Sequence, residues 1–330
     1  MDNRISWVDQ ARGIALILVV IGHMGIPYIG QYFTTVHLPL FFFLSGLTFS
    51  IQKGFGAFLI GKVKRLLVPY FCLGIPLLMS SLVTRMREGI TDISSYCMVL
   101  VKFFLQKRHY TIWFLTCLFV ASILLYGIIR AVKNRLGWVL GAGIGSAVMC
   151  IAYWELGGTP LLWNIDAAFL AVFFMALGYY IKMSGFLIRE RFFKCCFFFI
   201  AAAGYIACVT INGFFYGEKF DMAICQIGLA PVSLLGILCG IYCIVFFLKC
   251  FNLGCILEYL GQNTMVYFAW HQSIMLPLLL DVYNFFGWFT TNSIVSDIIR
   301  TVLSIILIFL TLLPFDLLFG KTKLCFVVGK

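Results

Sequence analysis

Arg12 and His23 stand eleven residues apart in an apolar run near the start of the sequence. On a helix, eleven steps of 100° return to within about 20°, so both side chains project from one face, roughly 16 Å apart along the axis. Ionisable groups in an apolar span are costly and ordinarily mark a site. A neutral imidazole can take a proton near neutral pH. A guanidinium can hold an anion by charge-assisted hydrogen bonds. The other three histidines fall at a similar depth: His37 opens the second apolar segment, His109 precedes the fourth, and His271 lies about fifteen residues into the ninth. The plain alternative for any one of them is a packing histidine satisfied by a neighbouring helix.

The elements that carry these residues are membrane helices by composition. The 330 residues are 62% hydrophobic, 17% aromatic and only 11% charged, where a soluble domain is about half apolar and a quarter charged. Ten segments have the length and character of spans, at 10–29, 36–51, 66–84, 111–129, 138–154, 166–181, 195–212, 222–248, 256–280 and 299–319. Pro231 inside the eighth is read as a kink. The expectation is a single all-α polytopic domain over 1–330, without an appended soluble domain. The first segment carries Arg12 and His23 and no small-residue cleavage pattern, so it reads as a retained helix and not a secretion signal.

Charge sets the expected orientation. Arg85, Arg87, Lys102, Lys107, Arg108, Lys219 and Arg300 fall outside if the N-terminus is inside, and the other 17 of the 24 basic residues fall in the cytoplasm. An even number of spans returns the C-terminus to the cytoplasm. The formal charge of +11 therefore reads as a record of orientation and not as a nucleic-acid footprint. The loop 85–110 is the exception, basic and outside.

Other chemistry is thinly represented. Thirteen cysteines form no C-x-x-C or metal-ligand pattern and read as small hydrophobes; no metal is expected. Ser45 in Phe-Leu-Ser-Gly invites a nucleophile reading, but Ser-Gly pairs in spans more often allow close helix packing. Lys62, Lys64 and Arg65 form a basic cluster that suits phosphate, although such clusters more generally record topology or meet lipid headgroups. Trp113 and Tyr110 are interface aromatics with a possible sugar-stacking role, and Asn263 must find a hydrogen-bond partner within its span.

Taken in order, these pieces resemble the acyltransferase 3 family of membrane O-acyltransferases. The first signature is Val8-Asp9-Gln10-Ala11-Arg12-Gly13-Ile14-Ala15 continuing to Ile21-Gly22-His23, and the second is Val36-His37-Leu38-Pro39 running to Ser45-Gly46. Lys62-Val63-Lys64-Arg65 leading to Pro69-Tyr70, Ile112-Trp113-Phe114-Leu115, and Leu260-Gly261-Gln262-Asn263-Thr264 leading to Trp270-His271-Gln272 complete the likeness. It is nearest to the sugar and polysaccharide O-acetylase branch. Larger members carry a glutamate after the Trp-x-Leu element; here Thr116-Cys117-Leu118-Phe119 follows, so no role passes to an acid there.

The resemblance implies transfer of an acyl group, acetyl first among the choices, from acyl-CoA to a hydroxyl of a cell-surface glycan or its lipid-linked precursor. It implies catalysis by His23 with Arg12, His37 and His271, donor binding by Lys62, Lys64 and Arg65, and acceptor binding by Trp113, His109 and Asn263. The setting would be a bacterial plasma membrane, with membrane lipid as the solvent and no nucleic-acid partner. A glycan transporter or flippase is the competing class, sharing buried His and Arg but needing no acyl-CoA. A purely structural subunit would leave the histidines without a purpose.

Overall fold

The computed structural model describes residues 5–26, 30–51, 54–106, 108, 110–186, 195–215, 217, 220–289 and 293–330. Among these the chain is all-helical, its only β feature an isolated bridge between Asp221 and Gln226. The helices are α1 (Ser6–Gly22), α2 (Gly30–Leu47), α3 (Phe55–Arg87, with a π-helical turn at Val63–Leu67), α4 (Ile93–Leu105), α5 (Trp113–Ala131), α6 (Leu136–Glu155), α7 (Ile165–Met183), α8 (Cys195–Phe215), α9 (Ala230–Cys250), α10 (Cys255–Gln262), α11 (Thr264–Phe285, with a π-helical turn at His271–Met275) and α12 (Ile294–Lys321). Among the described residues, eight helices are long and apolar enough to cross a membrane: α3, α5, α6, α7, α8, α9, α11 and α12.

The centre of the bundle is α1, packed by α2, α9, α10, α11 and α12, with α2 in turn held between α1 and α7. Glycines decide where these helices cross. A Cβ on Gly46 would lie 2.0 Å from the Met175 carbonyl oxygen, and one on Gly178 would lie 2.1 Å from that of Phe43, so α2 and α7 touch backbone to backbone. The Ser45 hydroxyl turns back to the Phe41 carbonyl at 2.8 Å, which fits the packing reading of Ser45-Gly46. At the other crossing, Gly13 abuts the Leu257 carbonyl and Gly261 that of Asp9. The outer helices α8 and α12 keep apolar side chains such as Phe199, Ile200, Val295 and Leu310 on their exposed sides, as lipid-facing surfaces do.

Three expected elements are redrawn. Residues 222–229 do not belong to the eighth span: α9 begins at Ala230 with Pro231 in its first turn, where a missing N–H costs nothing. The preceding stretch folds as a compact turn with Met222 and Cys225 buried. The loop 85–110 contains α4, started by the Asp92 carboxylate, which accepts from the Ser94 and Ser95 amides. Val99 and Phe103 bury against α3, where the Tyr70 hydroxyl donates to the Phe103 carbonyl. The ninth span is broken at Asn263 into α10 and α11.

Candidate active site

Both π-helical turns stand just before a proline in the first turn of the next α segment, Pro69 after Val63–Leu67 and Pro277 after His271–Met275. A proline lacks the N–H for the α ladder and crowds the carbonyl four residues back, and a local π register absorbs both problems. The second of these turns begins at His271 and directs that residue toward α1.

His23 is the C-cap of α1, one residue past the helix, and is exposed. The expectation of a group deep within the first span is corrected here: His23 stands at a helix end, since α1 stops at Gly22 and the chain turns at Gly25 (φ +68°). His271 Nε2 lies 3.3 Å from His23 Nδ1, with the rings edge to face at 5.0 Å between centroids. His37 on α2 is buried and within electrostatic range of both. The structure thus gathers His23, His37 and His271, from three helices, at one end of the bundle.

Backbone carbonyls assign their tautomers. A carbonyl oxygen only accepts, so each ring nitrogen bonded to one carries a hydrogen. His23 Nδ1 donates to Val19 O at 2.8 Å, His37 Nδ1 to Phe33 O at 3.0 Å, and His271 Nδ1 to Phe268 O at 2.9 Å and Tyr267 O at 3.0 Å. In the neutral state every Nε2 is then a lone pair. His271 Nε2 faces the N–H of His23, and the Nε2 of His23 is the basic atom at the exposed rim.

Arg12 lies toward the opposite end of α1. Its Nη1 is 3.1 Å from Asp9 Oδ1 and its Nη2 3.1 Å from Thr48 Oγ1, just past the end of α2. Asp9 is 5% exposed and its other oxygen accepts from Gln262 on α10 at 3.1 Å. Gln10 fastens the same junction, donating to Asn252 and accepting from the Leu253 amide. Sequence reasoning passed over Asp9 as a positioning group. The available signal was an acid three residues before Arg12, on the same helix face.

The remaining candidates separate. Lys62 reaches the Phe49 and Phe58 rings, at 5.2 and 5.5 Å to their centroids, and so lies by the Thr48 end of Arg12. Lys64 and Arg65 are exposed on the π turn beside it, the Arg65 carbonyl meeting Gly329. Trp113 is buried at the start of α5, and the nearby Thr111 hydroxyl donates to the Ala269 carbonyl, two residues before His271. Tyr110 donates to the Ser81 hydroxyl at 2.7 Å. Asn263 is not with the histidines: it sits at the α10–α11 break, donating to Tyr259 O and accepting from Lys330, about 12 Å of helix rise from His271. His109 lies outside the described residues.

A second polar cluster, not singled out from sequence, closes the histidine end. Arg108 pairs with Asp166, whose side chain is fully buried, and also donates to the Cys225 sulfur at 3.1 Å while its guanidinium lies 4.6 Å from the Trp154 ring centroid. Asn164 accepts from the Arg108 amide and donates to Thr116. Asp166, an acid opening the sixth predicted span, was the legible sign.

Comparison with known proteins gives one match. The family model described as an acyltransferase domain, that of acyltransferase 3, covers residues 5–313. No curated protein and no solved structure matches the chain.

Proposed function

Because the chain belongs to the acyltransferase 3 family, we propose that it is a membrane O-acyltransferase moving an acyl group, acetyl foremost, from acyl-CoA to a hydroxyl of a cell-surface glycan or its lipid-linked precursor, as in the sugar and polysaccharide O-acetylase branch. The observation that carries this reading is the contact of His23 Nδ1 with Val19 O and His271 Nε2, which assigns the hydrogen to Nδ1 and leaves Nε2 as the basic atom of the exposed residue.

In the proposed step, the acceptor oxygen attacks the thioester carbonyl as His23 Nε2 removes the hydroxyl proton. The positive charge gained by His23 is stabilised through Nδ1–H by the His271 lone pair, the role an orienting acceptor plays in a catalytic triad. The C–S bond then breaks, and the departing CoA thiolate takes the proton back from His23. Arg12, held by Asp9 and Thr48 roughly 16 Å away along α1, binds donor phosphate. That separation suits an extended phosphopantetheine arm with its thioester at His23. His37 adds a further acceptor near the pair, and Trp113 lines the acceptor side.

Adding α1 and α2 to the eight long apolar helices makes ten crossings with both termini in the cytoplasm, in a bacterial inner membrane. The 17-to-7 division of basic residues supports this orientation. Donor phosphates then enter from the cytoplasmic end and the acceptor meets the histidine end. Family membership does not favour the transport reading.

The test is the purified protein in nanodiscs with acetyl-labelled CoA and a lipid-linked glycan fraction from its host. Label should appear on a glycan hydroxyl with stoichiometric release of free CoA thiol, and not with His23→Gln. Flipping of the glycan with no label transferred would overturn the reading in favour of a transporter.

A further inference from the structure

Four cations from four helices converge on the short stretch that follows α2. Arg12 of α1 donates to Thr48 Oγ1 at 3.1 Å, and Lys182 at the end of α7 donates to Phe49 O at 2.9 Å. Lys62 of α3 lies over the Phe49 ring, and Arg130 at the end of α5 donates to Ile51 O at 3.4 Å while lying over Tyr126. Thr48 to Ile51 is four residues, at most about 14 Å even if fully extended. Phe49 is buried and acts as the hub.

Basic residues at helix ends can be topology markers alone, and such markers have no reason to point at one another. Here they point inward onto the main chain and rings of a single turn. The contacts that hold Lys62, Lys182 and Arg130 are neutral carbonyls and aromatic faces, so their charge is not cancelled by the groups that fix them. Asp9 offsets part of the Arg12 charge. Arg65 lies within electrostatic range of Lys62 and adds to the positive field. Gathering like charges this closely is unfavourable unless a polyanion shares the site.

We infer that Arg12, Lys62, Arg130 and Lys182 form one anion site around Thr48–Ile51 that takes the phosphorylated nucleotide end of the acyl-CoA donor, diphosphate and ribose phosphate together. The inference rests on the acyltransferase reading. It adds Arg130 and Lys182 to the donor set, and it gives the turn after α2 the task of holding their charges in register. Lys62, Arg130 and Lys182 carry N–H donors beyond those engaged by the turn, which suits charge-assisted bonding to phosphate.

The test measures binding of unacylated CoA, and of CoA lacking the 3′-phosphate, to the full-length protein in nanodiscs without turnover. Wild type should prefer CoA. Arg130→Gln and Lys182→Gln should each weaken CoA binding by on the order of tenfold, and the double variant should bind both ligands alike. Arg130→Lys and Lys182→Arg keep the charge and should retain most of the affinity, which separates charge from folding. Lys249→Gln, another basic residue at this end of the bundle, should leave binding unchanged. Wild-type CoA affinity in the double variant overturns the inference, as does an equal loss in Lys249→Gln. If label transfer still occurs and still depends on His23, the acyltransferase reading survives that result. A wild-type protein that binds no CoA would remove the donor reading and this site together.

Discussion

His23 Nδ1 lies 3.3 Å from His271 Nε2, and the Val19 carbonyl, 2.8 Å from the same Nδ1, settles that His23 is the donor in that contact. One hydrogen is shared between a carbonyl and a second imidazole, and the basic atom of His23 is left on the opposite side of its ring. The roles of two chemically identical side chains are thereby divided by backbone geometry.

The first prediction concerns the exposed base. A general base contributes typically about 10² to 10⁴ in rate. His23→Gln should therefore lower acyl transfer by that range while CoA binding stays within twofold of wild type. Near-normal turnover in this variant would move the base to His37.

His271 acts through His23, so its substitutions should be graded by what they can accept. His271→Gln keeps an oxygen able to receive the His23 N–H and should retain more kcat than His271→Leu, with KM for the donor unchanged in both. Equal kcat in the two variants would mean that His271 only fills space.

Gly261→Ala places a Cβ that would sit 1.7 Å from the Asp9 carbonyl oxygen. Forced separation of α1 and α10 should destabilise the protein by about 1–3 kcal/mol, the usual cost of overpacking. It should also loosen the Gln262–Asp9–Arg12 chain. A lower Tm with a raised donor KM is expected; an unchanged Tm would show that this crossing tolerates separation.

The start of α4 should be sensitive to acid. The Ser94 hydroxyl and amide, with the Ser95 amide, hold the Asp92 carboxyl below its ordinary value. A depressed carboxylate contributes its cap above the unfolded-state value, and the contribution is lost as pH falls through the folded one. Protection of the Ser94 and Ser95 amides, relative to their intrinsic exchange rates, should fall over that acid window in wild type. Asp92→Ala should show low protection at every pH; a variant whose protection still falls with acid would assign the effect to another group.

The topology is checked by reporters. A cytoplasm-dependent reporter fused after Lys330 should be active, and an outside-dependent reporter inserted at Gly89, in the α3–α4 turn, should also be active. The opposite result at Gly89 would place the histidine cluster on the cytoplasmic side and detach the donor argument from Arg12; the opposite result after Lys330 alone would overturn the count of ten crossings.

The one-dimensional pattern was enough for several features. Length, apolar content and sparse charge set an all-helical membrane protein, because lipid leaves helices as the economical way to satisfy a backbone. The sequence placed Arg12 and His23 on one helical segment, which runs as α1 from Ser6 to Gly22 with His23 as its cap, since helix formation is read from a local pattern. Ser45-Gly46 was readable as a packing pair for the same reason: a small side chain permits close approach whatever the partner.

Other features needed the fold. His271 Nε2 and His23 Nδ1 meet through a π turn ahead of Pro277 and the crossing of α11 with α1, a meeting that spacing along one helix does not encode. Asn263 was grouped with the acceptor side by its polarity, yet the break between α10 and α11 keeps it near Asp9 and Lys330. Arg130 and Lys182 looked like two more topology charges, indistinguishable in sequence from Lys249. Only the return of α5 and α7 to the turn after α2 aims them at Phe49 and Ile51, because the direction of a long side chain is decided by which helices pack together and at what depth they end.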